Sequence, residues 1–279
     1  MILSYNPVIE AGKNRLCAGR LPDEDDLAAI RRAEAVILPQ GCSEALYRMA
    51  RENCAHVFPN LDVRFDYPGK CGQIRLFREF QVAHPTSAPF ASLADHHARP
   101  PALPLPVVLK LDWGGQGETV FKVNDTAEMA RALARVAACE ATGQSGFLVQ
   151  EWIPDGGRSL RVTVVGRRRI CYWRIQPDPE RFGASLAAGG RVDADADPNL
   201  QAAARAVVDH FCRRTGLQLA GFDLLFDTRR LAQGRIEPLM LEINYFFGRA
   251  GLGGSEGYYR ILQEEVTAWL AQSGLQAPC

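Results

Sequence analysis

Two polar side chains interrupt an apolar segment near the end of the sequence, LMLEIN (239–244). Glu242 and Asn244 are two positions apart, so their side chains would share one face of a β-strand. A second apolar segment, LAGFDLLF (219–226), precedes a polar turn, and a hairpin would bring Asp223 to the same face. Carboxylate and carboxamide oxygens suit Mg²⁺. The alternative is a hydrogen-bonded polar group at the solvent end of a sheet, although burying carboxylates there without a cation would be costly.

A lysine inside an apolar strand is the second candidate. Lys110 lies in VVLKL, and the sequence GGQG follows, with Gly114, Gly115 and Gly117. Glycines allow backbone N–H groups to turn toward a phosphate, so the lysine and the glycines together suggest a polyphosphate clamp. The alternative is a plain hairpin whose lysine reaches solvent. The segment is not a Walker A loop, because the lysine precedes the glycines and no helix follows them.

The segment FLVQEWI (147–153) is a weaker candidate. A strand that ends at Glu151, Trp152 and Ile153 offers main-chain donors and acceptors beside a carboxylate. The edge of an adenine ring needs that mixture, an acceptor for its amine and a donor for a ring nitrogen. Ordinary strand ends of this composition are common, so this segment alone does not establish a nucleotide site.

The elements that must position these residues fall into three predicted domains. Residues 1–80 alternate strand, helix, strand and helix, which predicts a small open α/β layer without a dinucleotide-binding glycine pattern. Residues 81–153 open with proline-rich stretches and predict a hairpin, a helix beginning after Asp125 and a further strand. Residues 154–279 predict antiparallel strands and two helices. The predicted class is α+β.

The bulk composition excludes several classes of protein. Of 279 residues, 47% are hydrophobic, and 32 basic side chains balance 32 acidic ones. A neutral chain lacks the basic field of a protein that binds nucleic acid or anionic membranes. We expect no membrane span and no signal peptide. The eight cysteines show no C-x-x-C spacing, which predicts reduced thiols in a cytoplasmic protein. The pair His96-His97 is predicted to lie in a loop.

Taken in order, these segments resemble the ATP-grasp superfamily, and within it the RimK-type branch, which includes ribosomal-protein glutamate ligases and bacterial glutathione synthetases. The resemblance covers roughly residues 65–256 and rests on the order of six segments. They are Lys110 with residues 112–118, QEWI (150–153), LRV (160–162), SLAAGG (185–190), AGFD (220–223) and LEIN (241–244). Lys70 matches an earlier lysine of the family that contacts phosphate.

The resemblance implies an ATP-grasp fold, in which two α+β subdomains hold ATP and Mg²⁺, or Mn²⁺, behind the N-terminal domain. The γ-phosphoryl group would move to a carboxylate, and an amine or thiol would then attack the acyl phosphate. Lys70 and Lys110 would contact the phosphates, residues 151–153 and Leu241 the base, and Ser159 the ribose side. Asp223, Glu242 and Asn244 would hold the metal. Arg161 and Arg174 would stabilise the transferring phosphoryl group.

Three departures from the family pattern concern the ribose contact, the seat of phosphate and acceptor, and the acceptor site. Relatives carry an acidic residue at the position of Ser159, and Gly183 and Ser185 stand where they carry R-x-N, unless Arg181 substitutes. After Asn244, three aromatic residues (245–247) replace the usual small residues. Aromatic rings there favour a flat or apolar substrate over glutamate, although core packing would explain them equally well.

The predicted function is therefore an ATP- and Mg²⁺-dependent ligase that joins a carboxylate-bearing small molecule or peptide to an amine or thiol. A nucleotide-binding sensor or scaffold without ligase activity is the first alternative, and Gly183 and Ser185 motivate it. A kinase of a small molecule is the second alternative. The sequence leaves the acceptor and the amine open, and an oligomer is compatible with it.

Overall fold

The described part of the computed structural model comprises residues 1–114, 119–178, 181–184 and 189–276, and these residues form three β-sheets. The sheets follow one another along the chain, and helices pack on each of them. The α+β class is confirmed. None of the helices within these ranges is long and apolar enough to cross a membrane.

The N-terminal sheet is parallel, with strand order β2-β1-β3-β4. Alternation of short strands and helices produces it, and this confirms the predicted open α/β layer. Its strands are β1 (Ile2–Ser4), β2 (Lys13–Asn14), β3 (Ala35–Ile37) and β4 (Val57–Phe58). The helices of this part are α1 (Glu24–Arg31), α2 (Glu44–Asn53), α3 (Asp62–Asp66) and α4 (Gly69–Glu79).

The middle sheet is antiparallel, with order β5-β8-β6-β7. It includes the predicted hairpin, since β6 and β7 pair directly. Its strands are β5 (Ser87–Phe90), β6 (Val107–Leu111), β7 (Val120–Val123) and β8 (Phe147–Glu151), and its helices are α5 (Leu93–Ala98) and α6 (Thr126–Glu140). The side chain of Asp125 accepts a hydrogen bond from the backbone N–H of Glu128, which caps α6 as predicted.

The C-terminal sheet is also antiparallel, with order β11-β10-β9-β12-β13. Its strands are β9 (Arg158–Val165), β10 (Arg168–Ile175), β11 (Arg191–Asp193), β12 (Leu219–Leu225) and β13 (Leu239–Asn244). Its helices are α7 (Pro198–Thr215), α8 (Thr228–Ala232) and α9 (Gly254–Gln272). The three sheets lie within the three predicted domain ranges, whose exact limits stay a prediction.

Four local predictions differ from the structure. His96 does not lie in a loop but in α5, where it is buried with its ring 5.0 Å from that of Phe90. The proline-rich stretch at 84–89 includes most of strand β5, which tolerates Pro89 because it is an edge strand. The polar turn at 227–237 contains α8. Helices were not predicted at 62–66 and 69–79, where α3 and α4 form.

The three sheets share two main hydrophobic cores. One core is continuous between the N-terminal and the C-terminal sheets, and includes Phe58, Phe77, Phe211 and Phe222. The middle sheet has its own core around Phe147. The middle sheet is therefore a separate packing unit, while the other two sheets form one body.

Helix α4 joins these two units. It packs against β5 and β8 of the middle sheet and against β13 of the C-terminal sheet. The buried side-chain amide of Gln73 donates to the carbonyl oxygen of Ile243 and accepts from its N–H, both at 2.8 Å. Because β13 is an edge strand, these backbone groups have no neighbouring strand to bond. Gln73 therefore takes the place of a strand and fixes α4 to β13.

We expect Gln73→Leu to destabilise the protein by roughly 2–4 kcal/mol, because both backbone groups of Ile243 lose their partner inside the protein. Urea unfolding followed by circular dichroism measures the change. Gln263→Leu, at an exposed position of α9, is the matched control and should change the free energy of unfolding by about 0.5 kcal/mol or less. Equal stability of the two variants would contradict the role of Gln73.

Candidate active site

The three predicted metal ligands lie together on β12 and β13. Asp223 pairs with Glu242 across the two strands, and the Asn244 amide nitrogen donates to Asp223 Oδ2 at 3.0 Å. Met240 pairs with Leu224, so Leu241 is the extra residue of a β-bulge. Such bulges change the direction of a side chain beside a site. The predicted hairpin geometry is therefore present in the structure.

Asp223 is the centre of a buried ion-pair network. Its Oδ1 accepts from Arg161 Nε at 2.6 Å and lies 2.7 Å from Arg174 Nη2. Its Oδ2 accepts from Arg161 Nη2 at 3.1 Å, besides the Asn244 bond. Burial raises the pKa of the Asp223 carboxyl, but the two guanidinium groups outweigh it and hold that pKa below its usual value. Each carboxylate oxygen thus already has two donors.

The two arginines come from neighbouring strands. Arg161 lies on β9 beside Asp223, and Gly221 gives it room, because a Cβ there would lie 2.7 Å from Arg161 Nη1. Arg174, on β10, donates to the hydroxyl of Ser159 at 3.0 Å. The Nε of Arg174 is buried and has no hydrogen-bond partner in the part of the chain that is described. That donor is available to an anion in the site.

Two lysines face the same site from the other packing unit. Lys110 on β6 is buried, and its charge interacts with Glu242, Asp223 and Lys70. Burial lowers the pKa of the Lys110 ammonium to about 8, Glu242 opposes this shift, and Lys70 adds to it. Within the described ranges, no carboxylate oxygen lies within 4.0 Å of the Lys110 nitrogen. A buried ammonium without a close anion is costly, so this position is suited to an anionic ligand.

Lys70 is held at the start of α4. The residue before α4 offers no side-chain hydrogen bond to cap the helix. Asp112, directly after β6, supplies this cap instead, since its carboxylate accepts from the backbone N–H of Cys71 at 2.6 Å. The Lys70 ammonium donates to the carbonyl oxygens of Trp113 at 3.3 Å and Gly114 at 3.1 Å. Lys70 therefore lies at the base of the glycine segment. Gly115 and Gly117 fall outside the described residues.

A small apolar cluster adjoins these charges. Ile153, Leu225 and Leu239 form it, and Leu241 packs against them. Trp152 lies beside it with its ring 4.2 Å from the Lys122 ammonium. The backbone N–H of Glu151 donates to the carbonyl oxygen of Thr86 at 2.8 Å. The structure thus brings Ile153 and Leu241 together, as the resemblance implies for a base-binding surface.

Few of the described side chains could hold a metal ion. No group of three or more histidine, cysteine, aspartate or glutamate side chains within the described ranges is arranged to hold a metal ion. The predicted set differs, since it contains two carboxylates and the Asn244 amide. The Glu242 carboxylate makes no hydrogen bond or ion pair within the described part of the chain, and the Asn244 amide oxygen remains an acceptor after its nitrogen has bonded Asp223.

Comparison with solved structures shows which fold this is. A RimK domain protein from Sphaerobacter thermophilus, titled ATP-grasp, superimposes with a TM-score of 0.59 at 15% identity, covering 95% of this chain and 98% of that one. D-alanine–D-alanine ligase from Bacillus anthracis gives a TM-score of 0.62 at 12% identity, covering 98% and 97%. The chain has the ATP-grasp fold. The predicted ATP-grasp fold is thereby confirmed.

Sequence relatives cover part of this ATP-grasp chain. A probable alpha-L-glutamate ligase of Sodalis glossinidius is 32% identical over 148 residues, 53% of this chain and 45% of the relative. A second one, from Hahella chejuensis, is 31% identical over 153 residues, which are 54% of this chain and 46% of that relative. The chain therefore spans about half the length of the curated relatives that it matches. No model of a known protein family matches the sequence.

Sequence reasoning missed several residues of this candidate site. Gln73 lies in none of the predicted motifs, and Asp112 was predicted only as part of segment 112–118, without its bond to α4; each acts through a backbone group of a distant segment. The ion pairs of Asp223 with Arg161 and Arg174 also went unpredicted. The one available signal was that three charged residues stand in strands otherwise buried, where charges require partners.

We expect Lys110→Met to stabilise the unliganded protein by up to about 3 kcal/mol near pH 7, because burial disfavours the ammonium by the shift from 10.5 to about 8. The folded pKa is below the unfolded one, so between pH 8 and 10.5 the unfolded chain binds more protons and wild-type stability rises through this group. The difference in free energy of unfolding between variant and wild type should therefore have its full value below pH 8 and vanish above pH 10.5.

Urea unfolding at a series of pH values from 7 to 10.5 measures this gap. Lys13→Met, on β2 of the N-terminal sheet, is the control and should change the free energy of unfolding at pH 7 by about 0.5 kcal/mol or less. A Lys110→Met variant less stable than wild type at pH 7 would show that the ammonium has a favourable partner in the free protein.

Proposed function

We propose that this protein is an ATP- and Mg²⁺-dependent ligase that forms a C–N, or C–S, bond through an acyl phosphate. One observation carries the proposal. The buried Lys110 ammonium lies close enough to Lys70, Glu242 and Asp223 for their charges to act on it, and Asn244 bonds Asp223, so cations and candidate metal-binding oxygens lie together. A triphosphate with its metal ion needs both kinds of group.

ATP would lie between the middle and the C-terminal sheets. Its base would contact Glu151, Trp152 and Ile153 and pack on Leu241, because these residues adjoin the apolar cluster. Ser159 would lie on the ribose side, although its hydroxyl already accepts a hydrogen bond from Arg174. Its phosphates would contact the two lysines and the glycine segment, which includes Gly114, Gly115 and Gly117. The Lys110 ammonium, buried without a close carboxylate within the described ranges, supports this placement.

Mg²⁺, or Mn²⁺, would be held by Glu242 and the amide oxygen of Asn244, the two groups whose acceptor capacity is free within the described residues. Asp223 can join them only if Arg161 or Arg174 turns away, because its oxygens are already occupied. The ion, when bound, would neutralise charge on the phosphates. Few protein ligands are expected, since Mg²⁺ also uses phosphate oxygens and water.

The remaining chemistry requires alignment and charge neutralisation more than a side-chain nucleophile. Transfer of a phosphoryl group to a carboxylate places negative charge between Arg161 and Arg174. The unpartnered Nε of Arg174 is suited to accept part of that charge as a hydrogen-bond donor. An amine or thiol then attacks the activated carbonyl carbon, and phosphate leaves.

The substrates are proposed as a carboxylate-bearing small molecule or peptide and an amine or thiol, in a cytoplasmic protein. The curated relatives are named probable alpha-L-glutamate ligases, and a structural neighbour is named D-alanine–D-alanine ligase. These names favour a ligase over a sensor without activity or a small-molecule kinase. Of the departures that motivated the sensor, Ser185 lies outside the described residues.

We expect ADP and phosphate to appear only when a carboxylate acceptor is present. Glu242→Gln should lower this turnover by roughly 100-fold or more, because it removes the charged oxygen ligand that is free of other partners. Phosphate release with saturating ATP and Mg²⁺ measures it, over a panel of carboxylates and amines. Glu237→Gln, whose carboxylate is ion-paired with Arg230 outside the cleft, is the matched control and should retain full turnover.

Glu242 is a sharper target than Asp223. Replacing Asp223 leaves Arg161 and Arg174 buried without their anion, which costs about 3–5 kcal/mol and confuses lost activity with lost folding. Full activity in Glu242→Gln would refute the metal assignment. Stabilisation by ATP in a thermal melt without turnover of any acceptor would refute the ligase and support the sensor.

A further inference from the structure

A cationic pocket lies at the contact between the N-terminal sheet and the end of β13. Arg64 of α3 lies between two aromatic rings, with its guanidinium carbon 4.7 Å from the centre of the Phe65 ring and 4.9 Å from that of Phe246. Its Nη1 donates to the carbonyl oxygen of Gln40 at 3.0 Å. The residues Gln40, Arg64, Tyr245 and Phe246 are called the Arg64 pocket below.

Arg64 has no carboxylate partner within the described part of the chain. Burial lowers the pKa of its guanidinium, because the charged form is partly removed from water. Arg48 is a useful contrast, since it approaches the same Phe65 ring at 5.9 Å but is paired with Asp66 and Glu44. A guanidinium that keeps donors free while partly buried and fixed by two rings matches the planar geometry of a carboxylate.

Tyr245 supplies an independent second donor. Its hydroxyl is buried and has no hydrogen-bond partner in the described residues, and Arg64 is the charged group that acts on it. Its backbone carbonyl accepts from the Gln40 amide at 2.8 Å, which fixes the segment after β13 to the N-terminal sheet. A buried hydroxyl without a partner costs free energy, and an anion bound to Arg64 could satisfy it.

The pocket is also placed where a substrate would lie. Gln40 follows β3, at the carboxyl end of a strand in a parallel sheet, where open α/β sheets bind ligands. Tyr245 directly follows Asn244 of the proposed metal site. Phe246 is 65% exposed and lies against Gly41, where an added Cβ would be 3.3 Å from its ring. Phe247, by contrast, packs in the core, edge-on to Tyr258.

We propose that the Arg64 pocket binds a second carboxylate of the acceptor substrate, separate from the carboxyl group that is activated. This inference rests on the proposed ligase function. Arg64 and the Tyr245 hydroxyl hold the second carboxylate, and the exposed Phe246 ring lies beside the carbon skeleton that joins the two. The preferred acceptor is therefore a dicarboxylate, and one with a flat skeleton gains further contact with Phe246.

The test compares each dicarboxylate with its half-amide, which keeps one carboxylate and the overall shape. The probes are succinate with succinamate, and isophthalate with 3-carbamoylbenzoate. Binding is measured by calorimetry in the presence of ADP and Mg²⁺, and turnover by phosphate release with ATP and an amine. Wild type should bind each dicarboxylate at least ten-fold more tightly than its half-amide. Equal affinity within both pairs, or binding of neither, overturns the proposal.

Arg64→Met should abolish that preference and leave the affinity for ATP unchanged, and Arg64→Lys should leave a preference of a few-fold, because the charge remains without the planar pair of donors. Arg48→Met is the matched control and should keep the full preference. Circular dichroism and thermal melts verify that each variant is folded. A full preference in Arg64→Met overturns the proposal.

Tyr245→Phe gives an independent readout. It should raise the melting temperature of the free protein, because the unpartnered hydroxyl is removed, and weaken dicarboxylate binding a few-fold. Unchanged dicarboxylate affinity overturns the part assigned to the hydroxyl.

The two measurements separate this inference from the proposed function. Selective binding without turnover of any acceptor supports the pocket and refutes the ligase. Turnover that is indifferent to Arg64→Met supports the ligase and refutes the pocket.

Discussion

The candidate site contains more buried positive charges than negative ones. Four cations, Lys70, Lys110, Arg161 and Arg174, surround one cleft, and the carboxylates of Asp223 and Glu242 are the anions that the described structure sets among them. Asp223 pairs with both guanidiniums, but within the described residues the two lysines have no carboxylate within 4.0 Å and the Nε of Arg174 has no partner. Buried positive charge of this kind is unfavourable until an anion arrives. The proposed placement of a polyanionic ligand rests on this charge imbalance.

The scaffold makes that imbalance tolerable by holding the cations on separate bodies. Lys110 belongs to the middle sheet with its own core, while both arginines belong to the body that the other two sheets share. Helix α4 joins the bodies through Gln73 on one side and the Asp112 cap on the other. The candidate site therefore lies between two packing units that α4 helps to connect.

The sequence predicted the side-chain positions that follow from strand periodicity. It did not predict the features that depend on contacts between distant segments. The two-residue spacing of Glu242 and Asn244 was sufficient to place them on one face, and the hairpin brought Asp223 opposite. Helix α4 was not predicted, and its first turn contains two glycines, Gly69 and Gly72. Gly72 is nevertheless required inside the helix, since a Cβ there would lie 2.5 Å from the Tyr67 backbone. The ion pairs of Asp223 link three strands, and no local pattern encodes them. Of the aromatic residues 245–247, the core-packing interpretation holds for Phe247, while Phe246 remains exposed.

Gln73 has a consequence beyond positioning the site. Strand β13 is the outermost strand of the C-terminal sheet on its side, and such strands can recruit a strand from another molecule. The side-chain amide of Gln73 occupies the backbone of Ile243, and the carbonyl oxygen of Ala83 accepts from the N–H of Met240 at 2.8 Å. Intermolecular strand addition is therefore blocked along this border. Gln73 therefore both fixes α4 to β13 and occupies backbone groups that an added strand would need.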